Sequence, residues 1–151
     1  VSSAASDVYK RQHRLVPYLY HTACQTHQSG IPMIRPLVME YPKDPIAKTQ
    51  NLSYMLGDAL LISPGFDRDE YELYLPEGRW QDIESKEVYE GMTFVHIENK
   101  AFADGGTSLR VFQKEGTSIP LFAQKEVLHV PAQLWKQEDL EFMTFQKKDV
   151  D

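Results

Sequence analysis

The chain has one cysteine, Cys24, in 151 residues. No internal disulfide can form, so packing alone must hold the fold. Long apolar runs are missing too. No stretch approaches the roughly 20 apolar residues that a helix needs to cross a bilayer, so no membrane partner is expected. Basic clusters are equally scarce: none exceeds a pair such as Lys147-Lys148. With a formal net charge of −6, that scarcity excludes a surface built to bind a phosphate backbone, and no nucleic-acid partner is expected. Internal repeats and low-complexity tracts are absent. No signal segment is visible, and the first residue is Val rather than Met. The start therefore reads as truncated, and a cytoplasmic location is the expectation. What remains is an ordinary globular composition, 42% hydrophobic and 25% charged.

Two unlike halves follow. "SDVYKRQHRLVPYLYHTACQTHQSG" predicts one long helix. Ser6-Asp7 can cap its start, and Ser29-Gly30 is a stop signal. Leu15, Leu19 and Ala23 run at i, i+4, i+8, with Val16, Tyr20 and Cys24 beside them as a wide apolar stripe. Pro17 should kink the helix or fall near a first turn. Gly30 to Tyr41 then reads as a strand apolar on both faces, the pattern of a covered parallel sheet.

From Leu52 the pattern becomes all-β. Ala59 to Ser63 reads as a buried strand. "DEYELYLPEG" alternates, with Tyr71, Leu73 and Leu75 on one face. "GRW", "KEVYEG", "MTFVHIE", "SLRVFQKEG", "TSIPLF", "EVLHVPA" and "DLEFMTFQ" continue the series. Short strands at this spacing predict an antiparallel sandwich or barrel. A lone helix with one parallel-type strand cannot be a domain, so the first half reads as the edge of something larger.

Four ordered segments carry a family resemblance. "HRLVPYLYHTACQTHQSGIPMIRPLVMEYPKDP", "YMLGDALLISP", "YLPEGRWQDIESKEVYEG" and "RVFQKEGTSIPL" are similar to consecutive motifs of glycoside hydrolase family 31, the α-glucosidases, α-xylosidases and relatives. The match runs from His13 to Leu121. Asn51-Leu52-Ser53, Gly65, Glu84 and Arg110 depart from the family pattern. The resemblance implies an α+β fragment: the last helix and strand of a (β/α)8 barrel followed by an antiparallel β-sandwich. Residues 13–51 would be the barrel's end, 52–121 the proximal sandwich, and 122–151 the lead-in to a truncated distal β domain. Residues 1–12 match nothing in the family and read as a non-native tail, against the plainer reading of a poorly ordered N-terminus.

The implied activity is hydrolysis of terminal α-linked sugars with retention, acting on oligo- or disaccharides. That chemistry needs two carboxylates about 5–5.5 Å apart, one kept protonated and one ionised. In the family both are Asp residues on earlier barrel strands, the nucleophile within a W-x-D-M-N-E motif. No W-x-D-M occurs here. No catalytic residue is assigned, no cofactor is expected, and the fragment alone should be inactive. The alternative is a non-catalytic carbohydrate-binding or scaffolding β-sandwich module.

Local candidates need weighing one by one. Glu40 and Asp44 stand beyond a barrel-type strand, where substrate contacts occur. The plainer reading, which outweighs it, pairs a loop carboxylate with Arg35 or caps the next turn. Arg35, inside an apolar run, must itself be paired, and reads as a structural anchor. His13, His21 and His27 are rotated roughly 80° and 120° apart along a helix, which is no ligand face, and His96 and His129 stand alone in strands, so no metal site is expected. Cys24 and His27 could touch, but Cys24 reads as a buried structural thiol. Trp80, Tyr89 and Phe94 could stack on sugars; core packing is the stronger reading.

Overall fold

The alternating segments form antiparallel strands in the computed structural model, which describes residues 12–65, 68–98, 109–123 and 131–148. A six-stranded sheet takes the order β1 (Ile34–Pro36), β2 (Tyr54–Leu56), β3 (Leu60–Pro64), β8 (Leu109–Lys114), β5 (Arg79–Asp82) and β6 (Val88–Glu90). Two ribbons complete the β structure: β4 (Glu70–Leu75) with β7 (Thr93–Glu98), and β9 (Thr117–Phe122) with β10 (Leu140–Phe145). Every pairing is antiparallel.

Side-chain alternation sends β2, β3 and β8 of the central sheet into two cores. Leu61 and Phe112 meet Leu73, Leu75, Trp80 and Ile97 on the side of the β4–β7 ribbon. Leu60, Ile62 and Val111 meet Ile119, Leu121 and Tyr18 on the opposite side. The six-stranded sheet is thus the middle layer, and β3 and β8 both bury side chains on its two faces. Each large apolar side chain closed off this way contributes about 1.5–3 kcal/mol. The expected buried strand at 59–63 and the alternation of 70–75 are both present, with Tyr74 buried as well. The strand expected in "EVLHVPA" lies outside the described residues.

Helix α1 spans Val16–Ser29 and starts with Pro17 in its first turn, where the missing N–H costs nothing. Gly30 closes it at φ 76°, donating its N–H to the Thr26 carbonyl. The cap expected at Ser6-Asp7 lies outside the described residues. The buried stripe differs from the expected one: Pro17, Tyr18 and Thr22 face the sheet, while Tyr20 and Cys24 are exposed. Tyr18 explains the rotation. Its hydroxyl donates to the Leu56 carbonyl at 2.5 Å and accepts the Ala59 amide at 3.2 Å, tying the helix to the β2–β3 turn. Gly57 in that turn has φ +65°, and a Cβ there would lie 2.5 Å from the Tyr18 hydroxyl.

The doubly covered parallel strand expected at Gly30–Tyr41 is not formed. Only Ile34–Pro36 is extended, and it pairs antiparallel with β2 at the sheet edge. Two prolines explain this. Pro32 and Pro36 lack the N–H that an interior strand must donate, so the segment is confined to an edge. After Pro36 the chain turns into one helical turn, α2 (Leu37–Glu40), closed by the Tyr41 N–H on the Leu37 carbonyl. Ile31, Ile34, Val38 and Met39 are consequently exposed rather than covered.

Candidate functional site

The charged end of this segment is built around Arg35. Its side chain is buried, so its charge must be met locally. Nε donates to the Pro32 carbonyl at 2.7 Å. Nη1 reaches Glu40 at 2.9 Å and Asp58 at 2.6 Å. Burial works against the guanidinium charge, but the two carboxylates outweigh it and hold its pKa above the ordinary value. Arg35 therefore fastens β1, α2 and the β2–β3 turn together. Asp58 is the partner that sequence reading missed, because it lies 23 positions away.

Asp44 has the second structural role. Its Oδ1 accepts the backbone N–H groups of Ile46 and Ala47, starting the 3₁₀ turn Ala47–Thr49. Its Oδ2 accepts the Tyr74 hydroxyl at 2.5 Å. Burial would raise the Asp44 pKa, but these donors prevail and lower it. A general acid needs the opposite shift. Tyr74 is pushed up to about 12, by burial first and then by this carboxylate. So of the two candidate carboxylates, Glu40 pairs with Arg35 and Asp44 caps a turn, as the plainer reading of each had it.

Between these anchors lies a cleft of about 430 Å³. The loop 40–45 forms one wall, and Glu77 and Met92 form the other. Met92 is held at φ 58°. Its N–H donates to the Leu75 carbonyl at 2.7 Å.

The aromatic trio does not form a platform. Trp80 is wholly buried, and its indole N–H donates to the Pro76 carbonyl at 2.9 Å. Tyr89 packs edge-on against Phe112, and Phe94 sits on the other sheet beside Tyr74. Cys24, expected to be buried, is exposed, since the helix turns that face away from the sheet. His13 stacks on Phe122, His21 and His27 lie exposed on α1, and His129 is outside the described residues. His96 is not alone. Nδ1 lies 2.8 Å from Glu72, and Glu70, His96 and Glu98 each bring one ligand atom within 4.8 Å of the others, all of them exposed. The register of β4 against β7 opposes Glu72 to His96 and Glu70 to Glu98, a grouping that one strand's sequence cannot show. Arg110 pairs with the buried Asp82 at 2.9 Å.

A family model described as "Glycosyl hydrolase family 31 C-terminal domain" matches residues 30–126, the stretch holding the Arg35 anchor, the cleft and most of the sandwich. The chain belongs to glycoside hydrolase family 31. Human neutral alpha-glucosidase AB is 34% identical over 118 residues, covering 76% of this chain and 12% of its own length. A 1,6-alpha-glucosyltransferase of Sporosarcina globispora is 30% identical over 120 residues, 78% of this chain and 9% of its own. Among solved structures, a cycloalternan-forming enzyme of Listeria monocytogenes superposes with a TM-score of 0.75 at 31% identity, over 91% of this chain and 13% of that one. The Flavobacterium johnsoniae dextranase of the same family superposes at 0.74 and 26% identity, over 92% and 16%. The chain spans about an eighth of the length of the curated relatives it matches.

Proposed function

We propose that this chain is the C-terminal part of a retaining α-glycosidase that hydrolyses terminal α-linked sugars of oligo- or disaccharides. The two catalytic aspartates would belong to parts of the protein beyond these residues. The family match over residues 30–126 carries the reading. The chemistry of the local carboxylates supports it, since Glu40 and Asp44 are both committed to structural partners. In this reading residues 13–51 join the sandwich to the end of the (β/α)8 barrel. The exposed Tyr20, Ile31, Ile34, Val38 and Met39 support such a junction, because apolar surface of this kind calls for a covering layer. The sandwich then buttresses the barrel, with Arg35 and Asp44 fixing the connecting loop.

The test compares the chain with the intact gene product on a 4-nitrophenyl α-glucoside and the corresponding xyloside. The intact protein should release nitrophenol with retention at the anomeric carbon, and the 151-residue chain should release none. Hydrolysis by the chain alone, or an upstream sequence without a W-x-D-M-N-E-like motif and a second barrel Asp, would overturn the proposal.

A further inference from the structure

We propose that the outer face of the β4–β7 ribbon binds a divalent transition-metal ion of the zinc type, with Glu70, His96 and Glu98 as ligands and Glu72 orienting the imidazole. This rests on residues of this chain and not on the catalytic reading above. The ribbon's register builds the site. Glu70 lies opposite Glu98, and Glu72 lies opposite His96. Residues two apart on a strand share a face, so all four side chains project together. Glu70 is the first residue of β4 and Glu98 the last of β7, so the group closes one end of the ribbon. One ligand atom from each of Glu70, His96 and Glu98 lies within 4.8 Å of the others. Like charges directly opposed across two strands are destabilising, and a cation between them turns that repulsion into attraction.

The imidazole separates this group from a plain acidic surface. An ionised carboxylate only accepts, so the 2.8 Å contact between Nδ1 and the Glu72 Oε1 places a proton on Nδ1. In the neutral ring Nε2 then carries the lone pair. It stands 3.8 Å from the Glu70 Oε2. That separation is too long for a hydrogen bond. It is close to the span of two ligands on one ion, since atoms each about 2.1 Å from a tetrahedral metal lie about 3.4 Å apart. A carboxylate on one ring nitrogen and a metal on the other is the pairing that fixes tautomer and ring direction in histidine sites. One imidazole nitrogen beside two carboxylate oxygens favours a zinc-type ion over calcium or magnesium, which prefer oxygen alone.

Charge points the same way. Glu70, Glu72 and Glu98 bring three carboxylates around one imidazole. The Arg110 guanidinium donates to the Glu98 backbone carbonyl at 3.0 Å, but its charge is met by the Asp82 carboxylate at 2.9 Å. His96 and Glu98 also line a hollow of about 310 Å³, which leaves room for the water that completes a four-ligand shell.

The experiment is a calorimetric titration of the full 151-residue chain with zinc chloride, followed in parallel by ¹⁵N NMR of the imidazoles. Zinc should shift the His96 Nε2 resonance while Nδ1 keeps its proton. His96→Gln should remove this binding event, and Glu70→Gln and Glu98→Gln should each weaken it at least about tenfold. Glu72→Gln should weaken it about tenfold as well, through the imidazole rather than the metal. All four side chains are exposed, so the amide spectra of the variants should stay native-like. Absence of saturable zinc binding, binding that leaves His96 unshifted, or unchanged binding by His96→Gln would each overturn the inference. So would calcium binding as tight as zinc, the behaviour of an acidic surface alone. None of these outcomes bears on hydrolysis by the intact protein, so the two readings fail separately.

Discussion

Gly57→Ala probes the contact that docks helix α1 onto the sheet. Gly57 sits at φ +65°, a conformation that costs an L-residue about 1–2 kcal/mol. The new Cβ would also meet the Tyr18 hydroxyl at 2.5 Å. That hydroxyl must then leave the Leu56 carbonyl and the Ala59 amide. Each lost hydrogen bond costs roughly 1 kcal/mol. The sum is about 3–4 kcal/mol, or roughly 10 °C in Tm for a chain of this size. Tyr18→Phe separates the terms. Alone it should cost about 2 kcal/mol, because the same two backbone groups lose their partner. In that background the clash with the hydroxyl is gone, leaving the backbone cost of about 1–2 kcal/mol and the close approach of the Cβ to Thr22, 2.9 Å from Oγ1 and 3.0 Å from Cγ2. Urea denaturation of the four proteins, followed by circular dichroism, closes the cycle with a coupling of about 2 kcal/mol. Equal costs of Gly57→Ala in both backgrounds would refute the account of how the helix is held.

Arg35→Met should cost about 2–3 kcal/mol in urea denaturation, less than the 3–5 typical of a fully buried pair, because the Glu40 and Asp58 carboxylates, 32% and 66% exposed, can both reach water. Tyr74 titrates near 12 in the folded chain against about 10 unfolded, so its contribution is whole below pH 10 and lost as pH rises toward 12; Tyr74→Phe should flatten that alkaline loss and remove one late-titrating phenol from the absorbance at 295 nm. Asp44 gives the opposite edge, since its lowered pKa makes its contribution present above about pH 4 and lost on acidification, and denaturation midpoints of Asp44→Asn should lose that acid dependence. His96 is raised, chiefly by its hydrogen bond to Glu72, so its pairing favours folding at low pH and fades as pH rises through its folded pKa; an NMR titration of Glu72→Gln should show the imidazole pKa falling.

The β half was legible because period-two alternation is a local signal. Tyr71, Leu73 and Leu75 lie in one core as the spacing of 70–75 implies, and the uninterrupted apolar run at 59–62 lies in a strand buried on both faces. The same run-of-apolars argument failed at Gly30–Tyr41. There Pro32 and Pro36 decided the outcome by removing ladder donors, and the apolar residues they displaced stand exposed. Helix α1 failed in a different way. Its apolar residues cover so wide an arc that periodicity alone did not choose a face, and the Tyr18 hydroxyl did, donating to the Leu56 carbonyl and accepting from the Ala59 amide.

The site was legible only as far as its partners are near in sequence. Glu40 is five positions from Arg35, and the pair could be anticipated. Asp58 and Tyr74, at 23 and 30 positions from their partners, could not. Yet those distant partners settle the chemistry. Without Tyr74, Asp44 would be a loop carboxylate of unknown state. With it, the carboxylate is held ionised and the hydroxyl protonated, so neither can trade a proton near neutral pH. The charges that mark the end of "GIPMIRPLVMEYPKDP" therefore build a wall rather than a catalytic pair.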